Sequence, residues 1–418
     1  MRFHRLRDAI LSKISIKRRL QIICLWYLIS LMVETRKHSL TFAAGLSEKD
    51  ISAFSRFILN NKDIIKYTLR DLSKKQAKIY SRFLEKISGL PWRVFIIIDS
   101  TVQDRSGLKS ENVQKFNHGK GYVIGHQWTN IILFFNGMII PLPPIPFYTK
   151  KYCRENGLTY MTEHDRVIAY LNDLNMYEYI GLHNNEDIAV LTDSGYDNKK
   201  IQNAVLNRGW HFIMALKSSR GLKSEAKYAK TPKSRGWDRT DCFFRKYRKL
   251  AWETVRILAD GPKRKRKDFR VRHTEVFLKG VGKITAVCSE IKKKKRGGCR
   301  KYIACSDLKA SPRQILIAYR FRWKIEIFHK NVKMHLGFGD IAAKSFSSVE
   351  SHVYLVYCAY ILLQSDLPGV GKDGTILVKQ HKVAGVLANR KNACVIHDLT
   401  KIGGAERYKN ELKSVLAS

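Results

Sequence analysis

Acidic residues are scarce in this chain. Its 418 residues hold 36 Asp plus Glu against 77 Lys plus Arg, a formal charge of +41. A surface so one-sided repels itself unless a polyanion offsets it. Nucleic acid fits that role better than a membrane surface, because each neutralised phosphate releases counterions and adds affinity. Long apolar runs are missing as well. The longest strongly apolar stretch, Ile22 to Val33, is too short to span a bilayer. It follows a basic segment as a signal peptide would, but no small-residue cleavage site comes after it. Paired cysteine motifs are also absent. The eight cysteines, at 24, 153, 242, 288, 299, 305, 358 and 394, form no C-x-x-C, and no histidine pair has zinc-finger spacing. Free thiols in a reducing cytoplasm are the expectation. No internal repeat is visible.

What is present is enough to fold. Hydrophobic residues make up 44% of the chain, and its length allows two or three domains around a sizeable core. Residues 1–90 read as an all-helical, basic N-terminal domain suited to binding DNA ends. Ser47-Glu48-Lys49-Asp50 and Ser73-Lys74-Lys75-Gln76 fit capping-box starts, followed by Ile51, Phe54, Phe57, Ile58 and by Ile79, Phe83, Ile87 at helical spacing. Pro91 ends that pattern. Val94-Phe95-Ile96-Ile97-Ile98 is a continuous apolar run, the mark of a strand buried on both faces, and it leads into Asp99-Ser100-Thr101. Strands are predicted over 122–135 and 138–142 with Asn136-Gly137 as their hairpin turn, and a helix over 163–174. Ile188 to Thr192 is a second buried strand, ending in Asp193-Ser194-Gly195. A helix over 197–207 and a strand over 211–216 follow. Strands alternating with helices indicate an α/β domain over 91–216, resumed at 302–365.

Between 217 and 301 the character changes. This fifth of the chain holds 29 Lys plus Arg and 8 Asp plus Glu, a net +21, about half of the total excess. Alternating runs at 242–247, 254–258, 271–278 and 284–288 predict a mainly antiparallel β insertion. Its basic loops would include Lys263, Arg264 and Lys265, then Lys293 and Lys294, as phosphate contacts. Trp237 and Trp252 lie in the same insertion, where they could stack on a base or pack in a small core. The helix Val349 to Leu363 is apolar but includes Tyr and Cys, which favours protein core over membrane. Residues 366–418 form a basic tail to which no role is assigned.

The chemistry concentrates in one spacing. Tyr319, Arg322, Glu326 and Lys333 fall at roughly 0°, 300°, 340° and 320° on a helical wheel, one polar stripe. Phe321, Ile325, Phe328 and Val332 occupy the opposite, core-facing side. A carboxylate flanked by cations suits a metal ion and a phosphate held together. Asp99 and Asp193, each at the end of a buried strand, would complete a set of three carboxylates. Two divalent ions about 4 Å apart can both activate a water and stabilise the leaving oxygen of a phosphodiester. Magnesium favours such oxygen ligands.

These residues carry a resemblance. The Tyr-x2-Arg-x3-Glu-x6-Lys spacing, the strand ending Ile98-Asp99-Ser100-Thr101 and the turn Asp193-Ser194-Gly195-Tyr196-Asp197 resemble the DDE transposases of the insertion-sequence-four family. The resemblance covers roughly residues 90 to 365. It implies a ribonuclease-H-like core interrupted by a β insertion, with Asp99, Asp193 and Glu326 as catalytic and metal-binding residues. Tyr319, Arg322 and Lys333 would contact DNA. It implies Mg2+, with Mn2+ as a substitute, and double-stranded DNA as partner, both the terminal inverted repeats and the target. Cut-and-paste transposition by a homodimer on DNA, in a bacterial cytoplasm at the nucleoid, is also implied. Two rivals share the signal: a ribonuclease-H-like nuclease without strand transfer, and a decayed transposase serving as a DNA-binding regulator. Asp104 and Asp197 lie near the aspartates but suit turns or helix caps. His118, His126 and His164 show no spacing that demands a metal, and Gly119-Lys120-Gly121 reads as a turn.

Overall fold

The computed structural model describes residues 3–402, apart from 34, 36, 48, 83, 85–88, 106–108, 119–120, 182–183, 231–235, 248–249, 259–265 and 292–299; for 118, 258, 266 and 391–402 it describes the backbone alone. The chain divides into two compact units, residues 73–329 and residues 1–72 with 330–418.

The first unit is built on one sheet. Its strands are β1 (Val94–Asp104), β2 (Gln114–His118), β3 (Gly121–Phe135), β4 (Met138–Pro141), β5 (Ile145–Pro146), β6 (Ile188–Thr192) and β7 (His211–Ala215). They continue as β8 (Gly221–Lys223), β9 (Asp238–Arg239), β10 (Glu253–Leu258), β11 (Arg266–Leu278), β12 (Gly282–Ile291) and β13 (Lys301–Cys305). The strand order is β2-β3-β1-β6-β7-β13-β12-β11-β8-β9, with β4 and β5 on β3 and β10 on β11. β1 runs antiparallel to β3 but parallel to β6, and β6 runs parallel to β7. Val94 to Ile98 are each 0% exposed. Both faces of β1 are therefore covered, which is why its sequence is apolar at every position instead of every second one.

The two faces are covered by different helices. Val167, Leu171, Ile201 and Val205, from helices Glu163–Asp173 and Lys199–Asn207, share a core with Ile96, Ile98 and Val190. On the other face, the ring of Phe321 packs on Phe95 and Phe134 at 5.1 and 5.0 Å. The mixed α/β arrangement, an antiparallel pair continued by parallel strands with helices packed on it, fits a ribonuclease-H-like core. β3 and β4 are joined through Asn136 (φ 47°) and Gly137 (φ 76°), a two-residue turn whose positive φ values match the strand twist.

Within the insertion β10, β11 and β12 pair antiparallel, and β12 pairs with β13, which pairs with β7, so the insertion extends the central sheet. Several expectations need correction. The run at 242–247 is a helix, Thr240–Lys246. Phe243 and Phe244 both enter the same core; consecutive residues can share a side on a helix but point to opposite faces of a strand. Ser47 does not start a helix; Asp50 does, its carboxylate accepting from the Ser52 N–H at 2.7 Å. Ser73 lies inside the helix Lys62–Ser81, fully buried, and its hydroxyl donates to the Pro141 carbonyl at 2.8 Å.

The second unit is helical. A self-standing helical domain over 1–90 is not shown: the helices Phe3–Lys13, Arg18–Leu31, Leu40–Leu46 and Ile51–Asn60 share a compact unit with Phe346–Gln364 and Ile376–Ile402. Phe346–Gln364 is long and apolar enough to cross a membrane, yet 94% of its apolar window is buried inside the protein. It also carries buried polar groups that are satisfied. His352 Nε2 donates to the Gly337 carbonyl at 2.8 Å, which leaves Nδ1 to accept from the Tyr27 hydroxyl at 2.8 Å. Among the described residues, Cys24, Cys153, Cys242, Cys288, Cys305 and Cys358 are free thiols.

Candidate active site

The parallel pairing of β1 with β6 sets the first part of the site. Its last rung pairs Ile98 with Thr192. The next residues on the two strands are Asp99 and Asp193, and adjacent strands lie about 4.8 Å apart. Asp99 Oδ1 accepts from the Ser100 N–H at 2.9 Å. Asp193 Oδ1 accepts from the Gly195 N–H at 2.8 Å, capping a short 3-10 turn over Ser194–Tyr196. A Cβ on Gly195 would sit 3.0 Å from that same oxygen, so the small residue keeps the turn tight.

Glu326 arrives from a helix, but not from the single helix expected. The stripe spans two helices, Pro312–Arg320 and Trp323–His335. The first opens with a capping box, Ser311 with Gln314, and with Pro at its start. At the junction the backbone tightens to three-residue spacing: the Arg322 N–H bonds to the Tyr319 carbonyl at 3.1 Å and the Ile325 N–H to the Arg322 carbonyl at 3.2 Å. The apolar side of the stripe behaves as expected, with Ile325, Phe328 and Val332 each 0% exposed. Glu326 sits in the first turn of its helix, where the dipole favours a carboxylate.

Arg322 connects the acids. Its guanidinium lies 3.7 Å from Asp99 and hydrogen-bonds Glu326. Asp99, Asp193, Glu326, Tyr319 and Arg322 line one open cleft of about 750 Å³, rimmed by Lys217, Arg300 and Lys301. Burial and the Asp193 charge push the Asp99 carboxyl up to about 6, against the opposing pull of Arg322 and the Ser100 N–H. Burial also raises the Tyr319 phenol, so it stays protonated and can donate to a phosphate. Among the described residues, no group of three or more His, Cys, Asp or Glu side chains is close enough to hold a metal ion as it stands. Arg322 supplies the positive charge between Asp99 and Glu326. The donor set, three carboxylates in a half-buried cleft, nevertheless suits a hard divalent cation.

The other candidate residues are scattered. Lys333 is exposed near the end of the Trp323–His335 helix and belongs to the other compact unit. Trp237 lies beneath Lys223, whose Nζ is 4.8 Å from the ring. Trp252 packs partly against the core and is ringed by Arg270, Arg272 and Arg300 at 4.8, 4.4 and 5.8 Å. Lys263, Arg264, Lys265, Lys293 and Lys294 lie outside the described residues, as do Gly119 and Lys120. Asp197 is buried and anchors the turn after β7, accepting from the Lys217 N–H at 2.9 Å and pairing with Arg220 at 3.4 Å. Asp104 is exposed at the end of β1, and His126 is buried, donating to the Glu111 carbonyl at 2.8 Å.

Sequence reasoning missed Lys217, Arg300 and Lys301. Lys217 follows β7, the neighbour of β6, and Arg300 and Lys301 stand at the start of β13, the neighbour of β7, so the ends of successive strands were the available signal. It also missed Trp323, which is 58% exposed. With Phe269, Ile291 and Leu316, Trp323 lines an apolar cleft of about 470 Å³ that shares Tyr319, Arg322 and Lys301 with the carboxylate cleft.

Residues 163–362 match the family model for the transposase DDE domain. The match supports a DDE transposase. The matched segment contains Asp193 and Glu326, the whole basic insertion and the helix that buries its apolar residues; Asp99 lies upstream of it. A transposase domain implies DNA as substrate, in keeping with the basic rim of the cleft. No curated protein matches the chain.

Proposed function

We propose that this chain is a cut-and-paste transposase of the insertion-sequence-four type, with Asp99, Asp193 and Glu326 as its metal-binding carboxylates. The observation that carries the reading is the parallel rung between Ile98 and Thr192, which brings two strand-end aspartates side by side, with Glu326 linked to Asp99 through one arginine. Mg2+, or Mn2+ in its place, would supply a Lewis acid that activates water and stabilises the leaving oxygen. In the first step a water oxygen attacks the phosphorus at the transposon end, and the bond from phosphorus to the 3′ oxygen breaks. The freed 3′-hydroxyl then attacks a target phosphorus, forming one phosphodiester as another breaks. Arg322, Lys217, Arg300 and Lys301 offset phosphate charge around the cleft. Tyr319 donates to a phosphate oxygen, and the exposed Trp323 is placed to stack on a base more readily than Trp237 or Trp252. Lys333 and the basic residues Lys263, Arg264, Lys265, Lys293 and Lys294 extend the phosphate contacts. The protein acts as a dimer on paired terminal repeats, in the cytoplasm at the nucleoid.

Pre-cut terminal ends incubated with a target plasmid and Mg2+ test the reading. Joined products are expected from the wild-type chain and none from Asp99→Ala or Glu326→Ala, while both variants still shift end DNA in a gel. Nicking without joining would favour the nuclease alternative. DNA binding with neither activity would favour the decayed regulator. Full joining by either variant would overturn the residue assignment.

A further inference from the structure

The backbone ladder between β1 and β6 ends one residue before the two aspartates, at Ile98 and Thr192. Beyond that rung β1 continues paired only with β3, and the chain after β6 turns away through Ser194–Tyr196. The two carboxylates carry like charge where no main-chain ladder bond joins their strands. Something else must hold their separation.

We propose that Glu163 is the positioning residue that fixes Asp99 and Asp193 at their working distance; this rests on the reading of those acids as metal ligands. Glu163 opens the helix Glu163–Asp173. Its Oε1 accepts from the Tyr196 hydroxyl at 2.6 Å and from Thr129 Oγ1 at 3.0 Å, and its Oε2 accepts from Gln127 Nε2 at 2.8 Å. Tyr196 is three residues beyond Asp193 and is 3% exposed. Thr129 is the cross-strand partner of Ser100, the residue after Asp99. One carboxylate thus ties the turn that bears Asp193 to the rung that bears Ser100. The next residue reinforces the tie. His164 Nε2 donates to the Gly195 carbonyl at 3.2 Å, with its Nδ1 accepting from Asn198 Nδ2 at 3.0 Å. Glu163, Thr129 and Tyr196 are not among the residues lining the carboxylate cleft. Glu163 therefore acts through the aspartates' supports and touches no substrate. Groups that orient metal ligands from behind typically change metal affinity or activity by 10–100-fold when removed.

Mn2+ titration of the full chain by calorimetry, without DNA, tests this independently of turnover. Tyr196→Phe removes a single oxygen from the link, and Glu163→Gln replaces one of the acceptor oxygens with a donor. Each is expected to weaken Mn2+ binding about tenfold, with unchanged circular dichroism and unchanged KM for end DNA but reduced kcat. The double variant should lose no more than the worse single, because both act through one bond. Wild-type Mn2+ affinity in both single variants, or strictly additive losses, would overturn the positioning role. Asp193→Ala serves as the reference. If it binds Mn2+ like the wild type, the metal reading of the cleft fails, and this inference fails with it. If only Glu163→Gln misfolds, Tyr196→Phe decides.

Discussion

The Arg322 guanidinium lies 3.7 Å from the Asp99 carboxylate and, at the same time, hydrogen-bonds Glu326. It stands where a divalent ion would have to neutralise the same two acids. Arginine stays charged at any physiological pH, so only displacement or reorientation removes it. Phosphate is a suitable competitor, because a guanidinium can chelate two of its oxygens. Removing the side chain should separate its two effects. At pH 8, Arg322→Ala is expected to bind Mn2+ several-fold more tightly than the wild type in the absence of DNA, because a like charge has gone. The same variant should cleave ends poorly, because the phosphate loses its clamp. Calorimetry and a cleavage assay read the two effects. Weaker Mn2+ binding by the variant would show that Arg322 supports the carboxylates more than it competes for them.

Asp99 predicts a pH effect on stability. Burial and the charge of Asp193 raise its carboxyl to about 6, above the value of an unfolded aspartate. A raised acid binds more protons in the folded state, so this group's contribution to stability falls as pH rises from about 4 through 6. The gap corresponds to a cost on the order of 2–3 kcal/mol at neutral pH without divalent ions. Asp99→Asn removes the ionisable group. The variant should melt above the wild type at pH 7.5 in the presence of EDTA, and the difference should shrink towards zero near pH 4.5. A variant that melts below the wild type at pH 7.5 would mean that the Arg322 contact outweighs burial.

The sequence revealed the strands more readily than the helices that flank them. Val94 to Ile98 and Ile188 to Thr192 are apolar at every position because both of their faces are covered; a strand with one face in water would alternate instead. The aspartates after them followed at once, since a strand end is a rigid platform. Asn136-Gly137 was equally legible, because the turn needs two positive φ values. The helix break at Phe321–Arg322 was not. No proline or glycine marks it, and the 3.6-residue period runs through it unbroken; the cause is tertiary, the seat of Phe321 between Phe95 and Phe134. Thr240–Lys246 was misread for a related reason, as a six-residue run carries too little periodicity to separate helix from strand. The support network around Glu163 was invisible, because its members come from β3, a helix start and a turn that sequence spacing does not connect.

Lys333 separates charge from catalysis. It is exposed, seven residues beyond Glu326 on the same helix. If it contacts a DNA phosphate, Lys333→Ala should weaken binding of pre-cut ends, and the slope of log K against log salt should flatten by about one unit. Its effect on Mn2+ affinity measured without DNA should be negligible. Filter binding from about 50 to 200 mM salt provides the slope. A slope equal to that of the wild type would place the lysine in solvent in the complex as well.

The third carboxylate depends on its own tie to β3. Asn130 is fully buried and is the cross-strand partner of Asp99. Its Nδ2 donates to His329 Nε2 at 2.8 Å, and His329 lies three residues beyond Glu326, on a neighbouring part of the same helical face. The bond therefore fastens the helix that presents Glu326 to the strand that lies beside Asp99. Asn130→Ala breaks it and leaves the half-buried histidine nitrogen without this donor, a cost of about 1–3 kcal/mol. His329→Ala removes the acceptor of the same bond from the other side. In a double-mutant cycle read by urea denaturation, the two losses should fall short of adding by about 1 kcal/mol or more. The single Asn130→Ala variant should also lower the cleavage rate without changing end binding, because Glu326 loses a restraint while the DNA contacts remain. Losses that add fully would show that the two side chains support the fold separately, and that this bond does not fasten the helix bearing Glu326.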